Sequence, residues 1–100
     1  MQYSEQQVTE IVREMLRQVL RVKPEAITPD ARIFSDLGAE SLDILDIRFR
    51  LEKTFAIPIT DGEILDSLGP DLSAEDIDRA FTLRSITAFT MPKLVSSSTL

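Results

Sequence analysis

The stretch that decides the reading is Asp36-Leu37-Gly38-Ala39-Glu40-Ser41-Leu42-Asp43-Ile44-Leu45-Asp46-Ile47-Arg48-Phe49-Arg50-Leu51-Glu52-Lys53-Thr54-Phe55. Gly38 permits a tight turn, and a helix is predicted from Ser41 to Phe55. At about 100° per residue its apolar side chains fall into two stripes. Ile44, Ile47, Leu51 and Phe55 form one, and Leu42, Leu45 and Phe49 the other. Asp43, Asp46, Arg50, Lys53 and Thr54 fill a polar face. Two stripes are expected either of a helix with two neighbours or of one whose second stripe stays partly exposed near Ser41 for partners; both can hold together. Ser41 itself, after a glycine turn, reads first as a helix N-cap.

Upstream, Val8, Ile11, Val12, Met15, Leu16, Val19 and Leu20 make one apolar stripe of an amphipathic helix. Ser4 with Gln7 forms a capping box at its start, and Pro24 is expected to stop it. Residues 23–40 are then a long connection, which Ile27, Ile33, Phe34 and Leu37 can pack from within. Downstream, Thr60 is expected to cap a short helix ending near Leu68-Gly69-Pro70, and Ser73 with Asp76 to open another. Leu83, Ile86 and Phe89 mark a last helix. Residues 1–90 are read as a single domain and residues 91–100 as a flexible tail. With no alternating strand pattern, the fold class is all-α: a four-helix bundle with a long first loop and a short additional helix.

Composition narrows the function. One hundred residues with 43 % hydrophobic content make one domain, able to bury roughly 60–70 % of its unfolded surface. The chain has neither cysteine nor histidine. A thiolate nucleophile, a zinc–sulfur site and the commonest neutral-pH base are all missing, so the reading is not an enzyme, with no catalytic and no metal-binding residues assigned. The net charge of −6 and a pI near 4.5 disfavour nucleic acid and anionic membranes and favour partners with basic docking surfaces. No apolar run nears the ~20 residues of a membrane span. No secretory signal is visible at the N-terminus, which gives a cytoplasmic expectation. The acidic stretch 61–78 lacks the ligand spacing and glycine of a calcium loop. A monomer is expected.

A helix N-terminus carries unpaired N–H groups and a positive dipole end, so a phosphate ester on Ser41 would be stabilised there. At this point the sequence resembles a family. Ile27-Thr28-Pro29-Asp30, then Ile33, then Asp36-Leu37-Gly38-Ala39-Glu40-Ser41-Leu42-Asp43 look like the signature of acyl carrier proteins. Ile44 to Phe55 and Ile57-Pro58-Ile59 are similar to the family's second helix and exit loop, and Thr82 to Phe89 to its last helix. The resemblance spans residues 5–60 closely and 80–90 loosely.

The resemblance implies 4′-phosphopantetheine attached to Ser41, delivered from coenzyme A by a magnesium-dependent phosphopantetheinyl transferase. The arm's thiol would hold acyl groups as thioesters and carry them between enzymes of fatty acid, lipid or related biosynthesis. A chain without cysteine would thus import its sulfur. Glu40, Leu42, Asp43, Asp46 and Phe49 match positions that contact partners. Glu40 stands where the family usually has Asp, and Arg48, Arg50 and Lys53 make this helix more basic than usual. The long segment 60–81 is similar to that of specialised carriers, including those serving lipid A. An acyl cargo would lie between helices, lined by Ile47, Phe49, Ile64, Leu65 and Ile86. Two alternatives stay open: the same arm with an aminoacyl, peptidyl or polyketide cargo, and an unmodified helical interaction module.

Overall fold

A computed structural model describes residues 3–98, and side chains through Leu94. Five α-helices follow in order: α1 (Glu5–Leu20), α2 (Ser41–Phe55), α3 (Glu63–Asp66), α4 (Ala74–Ala80) and α5 (Leu83–Ser98), with a 3-10 turn at Pro24–Ala26. The all-α expectation holds; the described residues form no strand beyond a single antiparallel bridge between Arg32 and Thr82.

Local sequence explains most helix starts. Ser4 Oγ accepts the Gln7 N–H (3.1 Å) and Gln7 Oε1 accepts the Ser4 N–H (2.8 Å), which completes the expected capping box of α1. Ser73 Oγ accepts the Asp76 N–H at 3.1 Å and opens α4. Helix α1 ends earlier than Pro24. Arg21 adopts the left-handed conformation (φ 56°) and donates its N–H to the Arg17 carbonyl, while Pro24 opens the 3-10 turn. Thr60 does not cap α3. Gly62 (φ 81°) is the N-cap residue, and the Thr60 N–H and hydroxyl both donate to Glu63 Oε1 (2.9 and 3.1 Å).

One core holds the molecule together. Val8, Val12 and Leu16 of α1, Ile47 and Leu51 of α2, and Leu83 and Ile86 of α5 are fully buried in it. Helix α1 packs against both α2 and α5. The long connection contributes as expected: Ile27, Ile33 and Leu37 are buried and Phe34 is half-buried against the Phe81 ring, with centroids 5.3 Å apart. Its backbone is pinned to the far end of the chain. The Ile33 N–H donates to the Phe81 carbonyl and the Arg84 N–H to the Pro29 carbonyl, each at 3.0 Å. Gly38 (φ 75°) makes the turn into α2.

The tail expected at 91–100 is corrected over most of its length. Helix α5 continues through Pro92 to Ser98; residues 99–100 lie outside the described residues. Two contacts explain the extension. Met91 and Leu94 pack against the core, and Lys93 Nζ forms an ion pair with Glu63 at the start of α3. Pro92 removes the N–H that would reach the carbonyl of Ala88, and Ala88 is solvent-exposed, so water can take that acceptor.

Candidate functional site

The start of α2 is built by its own first turn. Glu40, in extended geometry (φ −116°, ψ 170°), is the N-cap residue, and Ser41 is the first residue inside the helix. The sequence expectation of Ser41 as a cap is therefore corrected. The Asp43 carboxylate takes the Glu40 N–H at 2.8 Å, and the Glu40 carbonyl accepts the N–H groups of Asp43 and Ile44. These contacts form the first turn without the Ser41 hydroxyl. Ser41 is exposed, and its hydroxyl takes part in no hydrogen bond among the described residues. An oxygen so placed is open to an incoming enzyme, beside helix N–H groups that favour an anion.

Beside Ser41 lies a cavity of about 160 Å³ between α2 and α3. Phe34, Ile44, Leu45, Ile64 and Leu65 give it an apolar wall, with Ser41, Arg48, Asp61 and Gly62 completing the lining. Of the five side chains expected to line a cargo space, Ile64 and Leu65 do so. Ile47 and Ile86 are fully buried core, and Phe49 points away from the cavity as an exposed side chain. The reason is rotational. Ile47 lies on the stripe turned toward α1, whereas Ile44, Leu45 and Arg48 face the α3 side.

The second stripe of α2 is the exposed one. Leu42, Leu45 and Phe49 are 76 %, 39 % and 58 % exposed, while Ile47, Leu51 and Phe55 are buried. Three large apolar side chains are thus left in water along one edge of α2. The acidic residues near them are partly engaged. Asp43 holds the Glu40 N–H, and Asp46 Oδ1 accepts from Arg50 Nε at 2.9 Å. Arg50 also donates to Gln18 Oε1 (2.9 Å), which ties α2 to α1. Glu40, Leu42, Asp43, Asp46 and Phe49 thus gather along the first turns of α2 beside Ser41.

Sequence reasoning missed the place of Arg48. Its guanidinium lies 4.6 Å from the Phe49 ring centroid. One terminal nitrogen donates to Glu52 Oε1 (3.2 Å) and to the Ile59 carbonyl (3.1 Å). Glu52 in turn accepts the Ile59 N–H at 3.1 Å, so the pair clamps the exit segment back onto α2. The only available signal was position: Arg48 falls four residues after Ile44, on the same side of the helix.

Two carboxylates elsewhere are held below their ordinary range by cationic partners. Arg84 lowers Asp30 through hydrogen bonds at 2.9 and 3.3 Å, joining the long connection to α5. Lys93 does the same for Glu63, helped by the Thr60 N–H. Neither pair lies at the cavity; both hold the frame around it.

Comparison with known proteins gives a family for the segment that holds Ser41. Residues 10–71 match the family described as "Phosphopantetheine attachment site", a span that includes most of α1, all of α2 and α3, and Ser41. The acyl carrier protein of Campylobacter hominis is 42 % identical over 57 residues, covering 57 % of this chain and 72 % of that protein. That of Campylobacter concisus is 39 % identical over 56 residues, covering 56 % and 73 %. That of Campylobacter curvus is 40 % identical over 52 residues, covering 52 % and 68 %. No helix among the described residues is long and apolar enough to cross a membrane. With an unengaged serine hydroxyl opening α2 and a family match across the whole surrounding segment, this chain belongs to the acyl carrier protein family, whose covalent cofactor is 4′-phosphopantetheine, and it is a carrier, not an enzyme.

Proposed function

We propose that Ser41 carries the 4′-phosphopantetheine arm and that the arm's thiol holds acyl groups as thioesters for transfer between partner enzymes. The supporting observation is the Ser41 hydroxyl: exposed, free of capping duty, and beside an apolar cavity. In loading, the Ser41 oxygen bonds to the phosphorus bearing pantetheine. The bond from that phosphorus to the adenosine-bearing phosphate of coenzyme A breaks, and 3′,5′-ADP leaves. The serine proton passes to the transferase or to solvent. The product is a phosphodiester whose negative charge sits at the N-terminus of α2.

The residues fit the group. Ser41 would supply the oxygen, and the N–H groups of Ser41 and Leu42, which have no backbone acceptor among the described residues, would be available to a phosphate there. The cofactor supplies the sulfur that this chain lacks, and the protein positions it. Leu42 and Phe49 form the apolar centre of the partner surface, with Glu40, Asp43 and Asp46 as its acidic border. Partners are a phosphopantetheinyl transferase and acyl-loading and acyl-transferring enzymes with basic docking surfaces, in fatty acid, lipid or related biosynthesis in the cytoplasm.

The test is co-incubation with coenzyme A, magnesium and a broad-specificity phosphopantetheinyl transferase, read by intact-protein mass. One arm's mass should appear on the native chain and none on Ser41→Ala. No gain, or a gain that persists in Ser41→Ala, overturns the assignment.

A further inference from the structure

The exposed edge of α2 changes sign along its length. At about 100° and about 1.5 Å per residue, Leu42, Asp46, Phe49 and Lys53 fall within about 60° around the helix axis, and Lys53 stands about 18 Å along it from Ser41. All four side chains are exposed. Near Ser41 the edge is acidic: Glu40 is exposed, Asp43 is half-buried, and neither has a cationic partner among the described residues. Midway, Asp46 is neutralised by Arg50 Nε at 2.9 Å, and Arg50 is drawn aside to Gln18. At the far end Lys53 has no acidic partner among the described residues. A cation there suits the C-terminal end of the helix, but that duty leaves the ammonium open to a second charge.

At physiological salt, charges about 18 Å apart are roughly two Debye lengths from each other, so the two ends act on a partner independently. A uniformly basic face covering the whole edge would set a cation against Lys53, and like charges brought together across an interface are disfavoured. The size of an ordinary interface reaches both ends. A patch of ~800 Å² per partner has a radius of ~16 Å, so one centred between Leu42 and Phe49 covers Glu40 and Lys53 together.

We infer that this edge docks the phosphopantetheinyl transferase of the chain's own organism through a face of two signs, with a basic group opposite Glu40 and a carboxylate opposite Lys53, about 20 Å apart. An apolar patch between them receives Leu42 and Phe49. The transferase is the occupant because its active centre must reach the Ser41 oxygen, which opens this helix. Lys53 is then a specificity-determining residue for loading: it favours a transferase with a carboxylate at that end and disfavours one that is basic throughout. The inference rests on Ser41 being the point of attachment.

The test loads the full-length chain from coenzyme A and magnesium with that transferase, and measures kcat and KM at about 0.05 M and about 0.5 M salt. Lys53→Glu should raise KM about ten-fold at the lower salt with kcat held, since one exposed attraction is lost and one repulsion gained. The rise should shrink at the higher salt, and Lys53→Arg should restore most of the native KM. A second readout needs no variant. A carbodiimide joins an amine to a carboxylate in contact with it, so the native complex should yield an amide between Lys53 Nζ and an Asp or Glu of the transferase, read by peptide mass. Loading that is unchanged or faster in Lys53→Glu, or a complex in which Lys53 stays unlinked, overturns the two-signed face while the carrier reading stands. If neither this transferase nor a broad-specificity one loads Ser41, both fall.

Discussion

Replacing Ser41 with alanine separates two roles that a serine at a helix start can play. If its hydroxyl capped α2, the change would cost about 1 kcal/mol, within a range of ~0.5–2 kcal/mol. In this fold Glu40 is the N-cap residue and the Asp43 carboxylate takes the Glu40 N–H at 2.8 Å. The Ser41 side chain is exposed and satisfies no backbone group. The expected loss is therefore that of an ordinary surface change, within about 0.5 kcal/mol. For a domain of this size 1 kcal/mol moves Tm by roughly 4–8 °C, so the two cases are separable by thermal denaturation of the apo protein. Alanine is also a better helix former than serine, which offsets part of any small loss. Ser41→Ala should thus melt within about 3 °C of the native chain while losing all capacity to gain the arm. A drop of 5 °C or more would refute this description of the first turn, and would restore the hydroxyl to structural duty.

Asp43→Ala should behave in the opposite way, losing ~1 kcal/mol in urea denaturation because the Glu40 N–H loses its acceptor. The two stripes of α2 should separate cleanly. Ile47→Ala, fully buried, should cost ~2–5 kcal/mol, and Phe49→Ala, 58 % exposed, less than ~0.5 kcal/mol while weakening partner binding measured by calorimetry. Acid unfolding tests the Glu63–Lys93 tie. Lys93 holds the folded Glu63 carboxyl below its ordinary value, so its contribution is present above about pH 4.3 and fades as pH falls through the lower folded value. Glu63→Gln should flatten that part of the stability–pH profile, and an unchanged acid limb would exclude the tie as a stabilising contact.

Local pattern determined much of this protein. The spacing of Ser4 and Gln7, of Ser73 and Asp76, and the turn at Gly38 act over three or four residues, so the helix starts they specify are legible without a partner. The span of α2 and its two apolar stripes follow from helical periodicity alone, whereas Ser41 stands out only through the likeness of the 27–43 segment to the carrier signature. What required the tertiary structure were relations between distant segments. Periodicity gives two equivalent stripes; only the packing of α1 against α2 decides that Ile47, Leu51 and Phe55 go inward and Leu42 and Phe49 stay in water. The last apolar repeat legible in the sequence ends at Phe89, whereas α5 runs on through Pro92. Contact of Met91 and Leu94 with the core, and of Lys93 with Glu63 thirty positions away, outweighs the local penalty of that proline. The clamp of Arg48 and Glu52 on Ile59 likewise exists only once the exit segment has folded back onto α2. Short-range hydrogen bonding and spacing are written residue by residue, whereas burial depends on which surfaces the whole chain brings together.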